Sequence, residues 1–339
     1  MEIVFVHFNS PIPKFLEENI KTCIKSFPTN LVTLIVNNGV KVPGMADLKV
    51  VNYQVNENWR KLENLLDHPK DFRNNFWMTS ISRFLAIADY METNDHEIIH
   101  VESDVILSSD FPFKEFSNIP SPISYPVVSK LRGVASTVYF RDKTIAKKLA
   151  HFSLECIEED SRTSDMLILR KFYDRYPELV TPLPFGPIDL DSYQHGIDDQ
   201  LLQRSIATHS ILGGIFDGSD IGVYYFGTDP RNHRGISSLR VPIPESLANY
   251  SKWLLKNDQH RIFPNLGTTK ERSLSRVYSL HMTNKHVSLF RIQTQGRIIL
   301  KRIKESQNNP AAKVYFWVLY KQTWKSIIRR LKKGSTFSQ

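Results

Sequence analysis

The sequence has only two cysteines, Cys23 and Cys156, among its 339 residues. Two cysteines cannot build the disulfide framework of a small secreted domain, so a reducing compartment is the default expectation. The chain lacks an apolar run of the roughly 20 residues that a membrane-spanning helix requires. Its N-terminus lacks the basic start and cleavable apolar core of a signal peptide. These absences predict a cytoplasmic protein.

Acidic residues are scarce at the C-terminal end of the chain, and the excess positive charge behind the net charge of +9 is concentrated there. Residues 286–339 contain twelve Lys or Arg and one Glu, which gives +11, so the preceding 285 residues carry −2. A slightly acidic main body argues against a broad nucleic-acid-binding surface. We therefore expect no nucleic acid partner.

Apolar runs and helical spacings alternate along the main body of the chain. The whole sequence is 41% hydrophobic, which allows a sizeable core. Short apolar runs are present at 3–8, 31–36 and 48–53, with a loop and an amphipathic helix at 11–26 between the first two and helical spacing around 61–66 and 78–90 after the third. This alternation predicts an α/β fold with a mostly parallel sheet covered on both faces. Further strands are predicted at 98–101, 124–128 and 133–140, and further helices at 143–158, 164–173 and 198–207.

Two carboxylates follow the buried strand predicted at 98–101. Glu102 and Asp104 are separated by Ser103, at the kind of strand end where open α/β sheets bind ligands. Carboxylates this close repel each other unless a cation or a donor group compensates them. Magnesium and manganese are typically bound by one or two carboxylates plus substrate phosphates. The spacing thus predicts a divalent-metal site, with an ordinary acidic turn as the structural alternative.

The C-terminal tail predicts a basic amphipathic helix. Aromatic and aliphatic residues recur every three or four positions, at Trp317, Tyr320, Trp324, Ile327, Ile328 and Leu331. Lysine and arginine occupy the remaining face, which is typical of a helix that lies in an anionic membrane surface. The alternative is a helix packed on the main body with a solvated basic face.

The order of these landmarks resembles that of bacterial glycosyltransferases with a GT-A fold, in particular the glycogenin-like and lipooligosaccharide galactosyltransferase group. That group has an Arg-led helix, a strand ending in Asp-x-Asp, a small-residue strand, an Asp-led helix and a late His followed by Lys. Here the landmarks fall on Arg83, Glu102-Ser103-Asp104, Val134-Ala135-Ser136, Asp165, and His281 with Lys285.

The resemblance implies a domain organisation. Residues 1–290 would form a GT-A, Rossmann-like catalytic domain, and 291–339 the membrane-associating tail. Within the domain, 1–140 would bind the nucleotide-sugar and 141–290 would form the acceptor side.

The resemblance also implies the ligands of a metal. Glu102, Asp104 and His281 would hold manganese or magnesium on the donor diphosphate, and Arg83 and Lys285 would add positive charge to the same phosphates. Because Glu stands where the group has Asp, Asp104 is expected to be the principal carboxylate ligand. A hydrogen-bonded structural histidine and an ion-paired arginine are the alternatives for His281 and Arg83.

Other donor contacts are implied at the strand ends. His7 and Asn37, after the first two strands, would lie near the nucleobase and ribose, and Ser103 would contact the nucleotide-sugar. Asp165 would face the sugar or the acceptor hydroxyl, unless it is merely a helix N-cap after Ser164.

The stereochemical outcome stays open. The Asp-Gln pair of the group appears here as Asp165-Met166, and Asp199-Gln200 lies too far downstream to replace it. If the enzyme inverts, a carboxylate must act as general base. The candidates are Asp165, Asp199, Asp217 and Asp220, although aspartates beside glycine are often turn formers.

These features together predict a glycosyltransferase at the inner face of a bacterial membrane. It would transfer a sugar, with a UDP-sugar as the expected donor, to lipopolysaccharide, lipooligosaccharide or capsule. One alternative is a sugar-phosphate nucleotidyltransferase, which predicts a Gly-rich loop after the first strand, but residues 7–11 contain no glycine. The other is a non-catalytic membrane or glycan-binding protein, which would not need Asp104.

Overall fold

The computed structural model describes residues 1–9, 11–70, 72, 75–185, 198–219, 221–222, 252–257, 262–267 and 274–282. The main sheet contains β1 (Glu2–His7), β2 (Val32–Asn37), β3 (Leu48–Tyr53), β4 (Ile98–Val101), β6 (Ile123–Ser129), β7 (Arg132–Gly133), β8 (Thr137–Phe140) and β9 (Val180–Leu183). A second sheet contains β5 (Val105–Leu107), β10 (Gly214–Phe216), β11 (Lys252–Asn257), β12 (Ile262–Gly267) and β13 (Leu274–His281). The helices are α1 (Lys14–Ser26), α2 (Glu57–Leu65), α3 (Phe76–Thr93), α4 (Lys143–Glu159), α5 (Asp165–Arg175) and α6 (Asp199–Leu212).

The main sheet confirms the predicted α/β fold. Its strand order is β3-β2-β1-β4-β8-β6-β7, with β9 paired to β6. Strands β3, β2, β1 and β4 run parallel, whereas β8 is antiparallel to both β4 and β6. The chain extends the sheet from β1 to β3 in one direction and then returns to place β4 on the other side of β1. This reversal is a topological switch point, where open α/β sheets bind ligands outside the carboxyl ends of their strands.

Helices cover the sheet because each presents apolar residues to it. Helix α1 buries Leu16, Ile20 and Cys23, which are spaced by four and three residues and so share one face. Helix α3 is buried on nearly every side. Its arginine, Arg83, is therefore only 7% exposed and requires charged or polar partners inside the protein.

The second sheet was not predicted. Strand β5 pairs antiparallel with β13, which joins β10 and β12. Residues 105–107 are apolar, as are 277–280 apart from Ser279, but pairing between segments this far apart leaves no local signal. The predicted strand at 133–140 is wrong in one respect, because 134–136 divide it into β7 and β8.

Several predicted features lie outside the described residues, namely Asp220, Lys285, the boundary at 290 and the basic tail. Within the described part of the chain, no helix is both long and apolar enough to cross a membrane. Cys23 and Cys156 are both buried and are not joined by a disulfide.

Candidate functional site

The acidic residues lie in a tight turn between β4 and β5. Residues 102–104 form this turn, which Val105 closes by donating its N–H to the carbonyl of Glu102 at 2.9 Å. Asn19, buried in α1, donates its side-chain amide to the carbonyls of Ser103 at 3.2 Å and Val105 at 2.7 Å. These bonds fix the turn against α1. Sequence reasoning missed Asn19, because only its position among the apolar residues of a helix marks it.

Strand β13 brings His281 to this turn from the other end of the described chain. The antiparallel register places His281 opposite Val105, and the N–H of Met282 donates to the carbonyl of Asp104 at 2.7 Å. His281 Nε2 lies 3.4 Å from Asp104 Oδ2 and 3.7 Å from Glu102 Oε2. All three residues offer a ligand atom, and these atoms lie within 4.8 Å of one another. The expected convergence of the three residues is thus present in the structure.

The charges of these groups depend on one another. Burial alone would lower the pKa of His281, but the negative charges of Asp104 and Glu102 raise that pKa to about 9. Burial alone would raise the pKa of Glu102, yet Arg83 and His281 bring it below its ordinary value. Without a cation, the protonated imidazole therefore compensates the two carboxylates at neutral pH.

Two carboxylates and one imidazole are suitable ligands for a divalent cation. With metal–oxygen distances of about 2.1 Å, neighbouring octahedral ligands lie about 3 Å apart and opposite ligands about 4 Å apart. The separations of His281 from Asp104 and Glu102, 3.4 and 3.7 Å, fall between these values. Glu102 Oε2 is buried and has no hydrogen-bond partner among the described residues, so it can accept a cation. Carboxylates suit both Mg²⁺ and Mn²⁺, and imidazole is a common ligand of transition ions.

Arg83 contacts protein carboxylates. Its Nη1 donates to Glu102 Oε1 and its Nη2 to Asp165 Oδ2. The ion-paired alternative for Arg83 is therefore observed, and the guanidinium connects the acidic turn to the start of α5. Its contact with donor phosphates stays a prediction.

Asp165 is the first residue of α5 and is 5% exposed. The N-cap is Ser164, whose Oγ accepts the N–H of Leu167 at 3.3 Å, so the alternative in which Asp165 caps the helix is wrong. Burial raises the pKa of Asp165, and the charge of Arg83 opposes that shift. Asp165 is thus a buried carboxylate that the Arg83 guanidinium links to Glu102. Its catalytic role stays a prediction.

Asp217 is wrong as a candidate general base. It is fully buried after β10, and both of its carboxylate oxygens accept main-chain N–H groups, those of Ser219, Ile221, Gly222 and His281. A carboxylate held by four backbone donors is not available to an acceptor hydroxyl.

The remaining candidates lie at element ends. His7 ends β1, beside Val36 of the parallel strand β2, and Asn37 ends β2 and donates to the Phe8 carbonyl at 3.4 Å. Both lie at the carboxyl edge of the sheet near the switch point, as expected, and their contacts with a nucleoside stay predictions. Asp199 is the exposed first residue of α6, after the N-cap Asp198. No contact among the described residues links Asp199 to Glu102, Asp104 or His281, and its role also stays a prediction.

Several solved structures are similar to this chain at low sequence identity. No protein-family model and no curated protein matches the chain. The solved galactosyltransferase LgtC, in complex with donor and acceptor sugar analogs, is similar at 13% identity and a TM-score of 0.44, over 61% of this chain and 84% of that one. Mouse xyloside xylosyltransferase 1 is similar at 10% identity and a TM-score of 0.35, over 54% and 84% of the two chains. The PaToxG glycosyltransferase is similar at 12% identity and a TM-score of 0.38, over 62% and 77%. These three solved structures are glycosyltransferases, the class of protein that the sequence resembles.

Proposed function

We propose that this chain is a metal-dependent glycosyltransferase that moves a sugar from a nucleotide-sugar to a cell-surface glycan. The proposal is supported by one observation above all, the convergence of Glu102, Asp104 and His281 beside the switch point of the sheet. The convergence brings two carboxylates and a histidine from β13 within 4.8 Å of one another, with the ring nitrogen 3.4 Å from a carboxylate oxygen. We expect a UDP-sugar as donor and lipopolysaccharide, lipooligosaccharide or capsule as acceptor.

The residues of the site have distinct tasks in this proposal. Glu102, Asp104 and His281 would hold the cation, and Arg83 orients Glu102 by binding its other carboxylate oxygen. A bound divalent cation supplies a Lewis acid that neutralises the charge growing on the leaving nucleoside diphosphate. Asp165, on the far side of Arg83, is the candidate to face the transferred sugar or the acceptor. Positioning and charge stabilisation would supply most of the rate.

A screen of nucleotide-sugars tests the proposal. The full-length protein is incubated with each donor in the presence of Mn²⁺, Mg²⁺ or EDTA, and release of the nucleoside diphosphate is measured. We expect hydrolysis of one donor that requires Mn²⁺ and that falls by about 100-fold or more in Asp104→Asn, since charge stabilisation at the leaving group is lost. Glu63→Gln, which changes an exposed acid on α2, is the matched control and should retain activity.

Two results would contradict the proposal. Turnover that is equally fast in EDTA would remove the metal from the reaction, and the absence of turnover with every nucleotide-sugar would remove the transferase. Retained glycan binding in an inactive protein would instead support the non-catalytic alternative.

We further propose that the enzyme works at the inner face of the cell membrane through its basic tail. The support is compositional, because 286–339 carry +11 and interleave tryptophan and tyrosine with lysine and arginine. Each basic residue near an anionic surface contributes about 1 kcal/mol, so replacing several should weaken binding strongly. The test is cosedimentation of the full-length protein with vesicles that contain or lack phosphatidylserine. A variant with Lys321, Lys325, Arg329, Arg330, Lys332 and Lys333 changed to Gln should remain in the supernatant, and equal sedimentation of both proteins would contradict the membrane role.

A further inference from the structure

We propose that Asp217 is a positioning residue for the cation site, which it serves by fixing the main chain that carries His281. This inference rests on the proposed cation site and extends it to a residue that touches neither cation nor substrate. The Asp217 carboxylate accepts four backbone N–H groups, one of which is that of His281.

The Asp217 carboxylate joins two separate segments of the chain. Oδ1 accepts the N–H groups of Ser219 at 2.8 Å and Ile221 at 3.1 Å. Oδ2 accepts the N–H groups of Gly222 at 2.7 Å and His281 at 3.0 Å. One oxygen therefore holds the loop after β10 and the residue whose imidazole faces the acidic turn.

The main chain of Asp217 is anchored as well. Its N–H donates to the carbonyl of Ser279 at 3.2 Å, and its own carbonyl accepts the hydroxyl of the buried Ser136 at 3.0 Å. Ser136 in turn accepts the N–H of Glu102 through its carbonyl at 3.2 Å. A continuous set of hydrogen bonds thus runs from the acidic turn through Asp217 to His281.

Gly222 shows how closely this loop approaches the histidine. A Cβ built on Gly222 would lie 1.7 Å from the carbonyl oxygen of His281 and 3.0 Å from Asp217 Oδ2. Only glycine allows the loop to lie against His281 at this distance. The loop and the histidine are therefore packed as one unit around the carboxylate.

Fixing the backbone of a ligand matters because groups that orient metal ligands usually affect metal affinity by 10- to 100-fold. An asparagine in place of Asp217 keeps the size but has one acceptor oxygen and an NH₂ group. The NH₂ group would face backbone donors, so two of the four hydrogen bonds would be lost. The imidazole would then be less well held opposite Asp104 and Glu102.

The test measures the Mn²⁺ dissociation constant of the folded full-length protein and, separately, its free energy of unfolding. For Asp217→Asn we expect a dissociation constant raised 10- to 100-fold. Asp142→Ala is the matched control, because Asp142 also accepts a backbone N–H, that of Ile145 at 3.1 Å, but caps α4 at the opposite edge of the sheet. It should lose stability and keep the wild-type dissociation constant. Gly222→Ala provides a second variant should Asp217→Asn not fold, with Gly44→Ala, which meets nothing within 4 Å, as its control.

The outcomes separate this inference from the proposed function. Wild-type Mn²⁺ affinity in folded Asp217→Asn or Gly222→Ala would overturn the positioning role and leave the cation site intact. If the wild-type protein binds no Mn²⁺, the cation site is wrong and the positioning role falls with it.

Discussion

Replacing Arg83 by methionine should be among the most damaging single changes near the site. The arginine side chain is 9% exposed and is shared by Glu102 and Asp165, whose side chains are 18% and 8% exposed. Removing one partner of a buried ion pair costs about 3–5 kcal/mol, because the remaining charge is left uncompensated. We expect Arg83→Met to lower the free energy of unfolding at pH 7 by about that amount.

A double-mutant cycle with Asp165 shows whether the pair causes the loss. Asp165→Asn keeps a hydrogen-bond acceptor but removes one charge, and should cost about 1–3 kcal/mol. In the double variant the carboxylate that Arg83 neutralised is absent, so the combined loss should fall short of the sum by about 1–3 kcal/mol. Urea denaturation of the four proteins provides the measurement.

The chain offers a matched surface pair as the control. Arg162 and Asp67 form an ion pair of the same residue types at 2.9 Å, with side chains 74% and 66% exposed. Arg162→Met should cost less than about 1 kcal/mol, because water screens an exposed pair. Additive losses for Arg83 and Asp165, or a loss for Arg83→Met as small as for Arg162→Met, would refute the reasoning.

Two further predictions concern buried polar groups around the acidic turn. Burial, with the charge of Arg83, lowers the pKa of His100 to about 3. Because an unfolded histidine titrates near 6.5, the unfolded state binds the additional proton between these values and stability falls as pH drops. Between pH 7 and pH 5 the wild-type protein should therefore lose about 2 kcal/mol more than His100→Gln in urea denaturation, and equal losses would contradict the buried neutral histidine. Asn19→Ala removes the side-chain donor to the carbonyls of Ser103 and Val105, which should cost about 1–3 kcal/mol. It should also raise the Mn²⁺ dissociation constant by about 10-fold, and an unchanged constant would show that the turn holds its shape without Asn19.

The local signals in the sequence predicted much of the fold. Strands β3 and β4 match their predicted bounds, since each is a short apolar run with clear ends. Helix α3, Phe76–Thr93, begins before and ends after its predicted range, 78–90, since helix ends are the least certain part of such a prediction. The acidic pair was visible because both carboxylates lie within three residues.

The supports of the site could not be predicted, because they act between distant segments. Asn19 and Asp217 bind main-chain groups, and main-chain partners leave no trace in residue identity. The hydrogen bonds of Asp217 to its own loop could be predicted, since an aspartate before a glycine such as Gly218 often accepts N–H groups a few residues onward. Its bond to His281 depends on the pairing of β5 with β13, for which the sequence contains no local signal.

Direct binding of Mn²⁺, measured from the loss of the free-ion electron paramagnetic resonance signal, tests the central claim that Glu102, Asp104 and His281 hold one cation. The account predicts a single site in the wild-type protein, retained in Glu63→Gln and weakened more than about 100-fold in Asp104→Asn, since a ligand matters at least as much as the groups that orient it. Because His281 must lose its proton to bind a cation, binding at pH 7 should also release protons. An Asp104→Asn variant that binds Mn²⁺ as tightly as the wild-type protein, or a wild-type protein that binds none, would contradict the account.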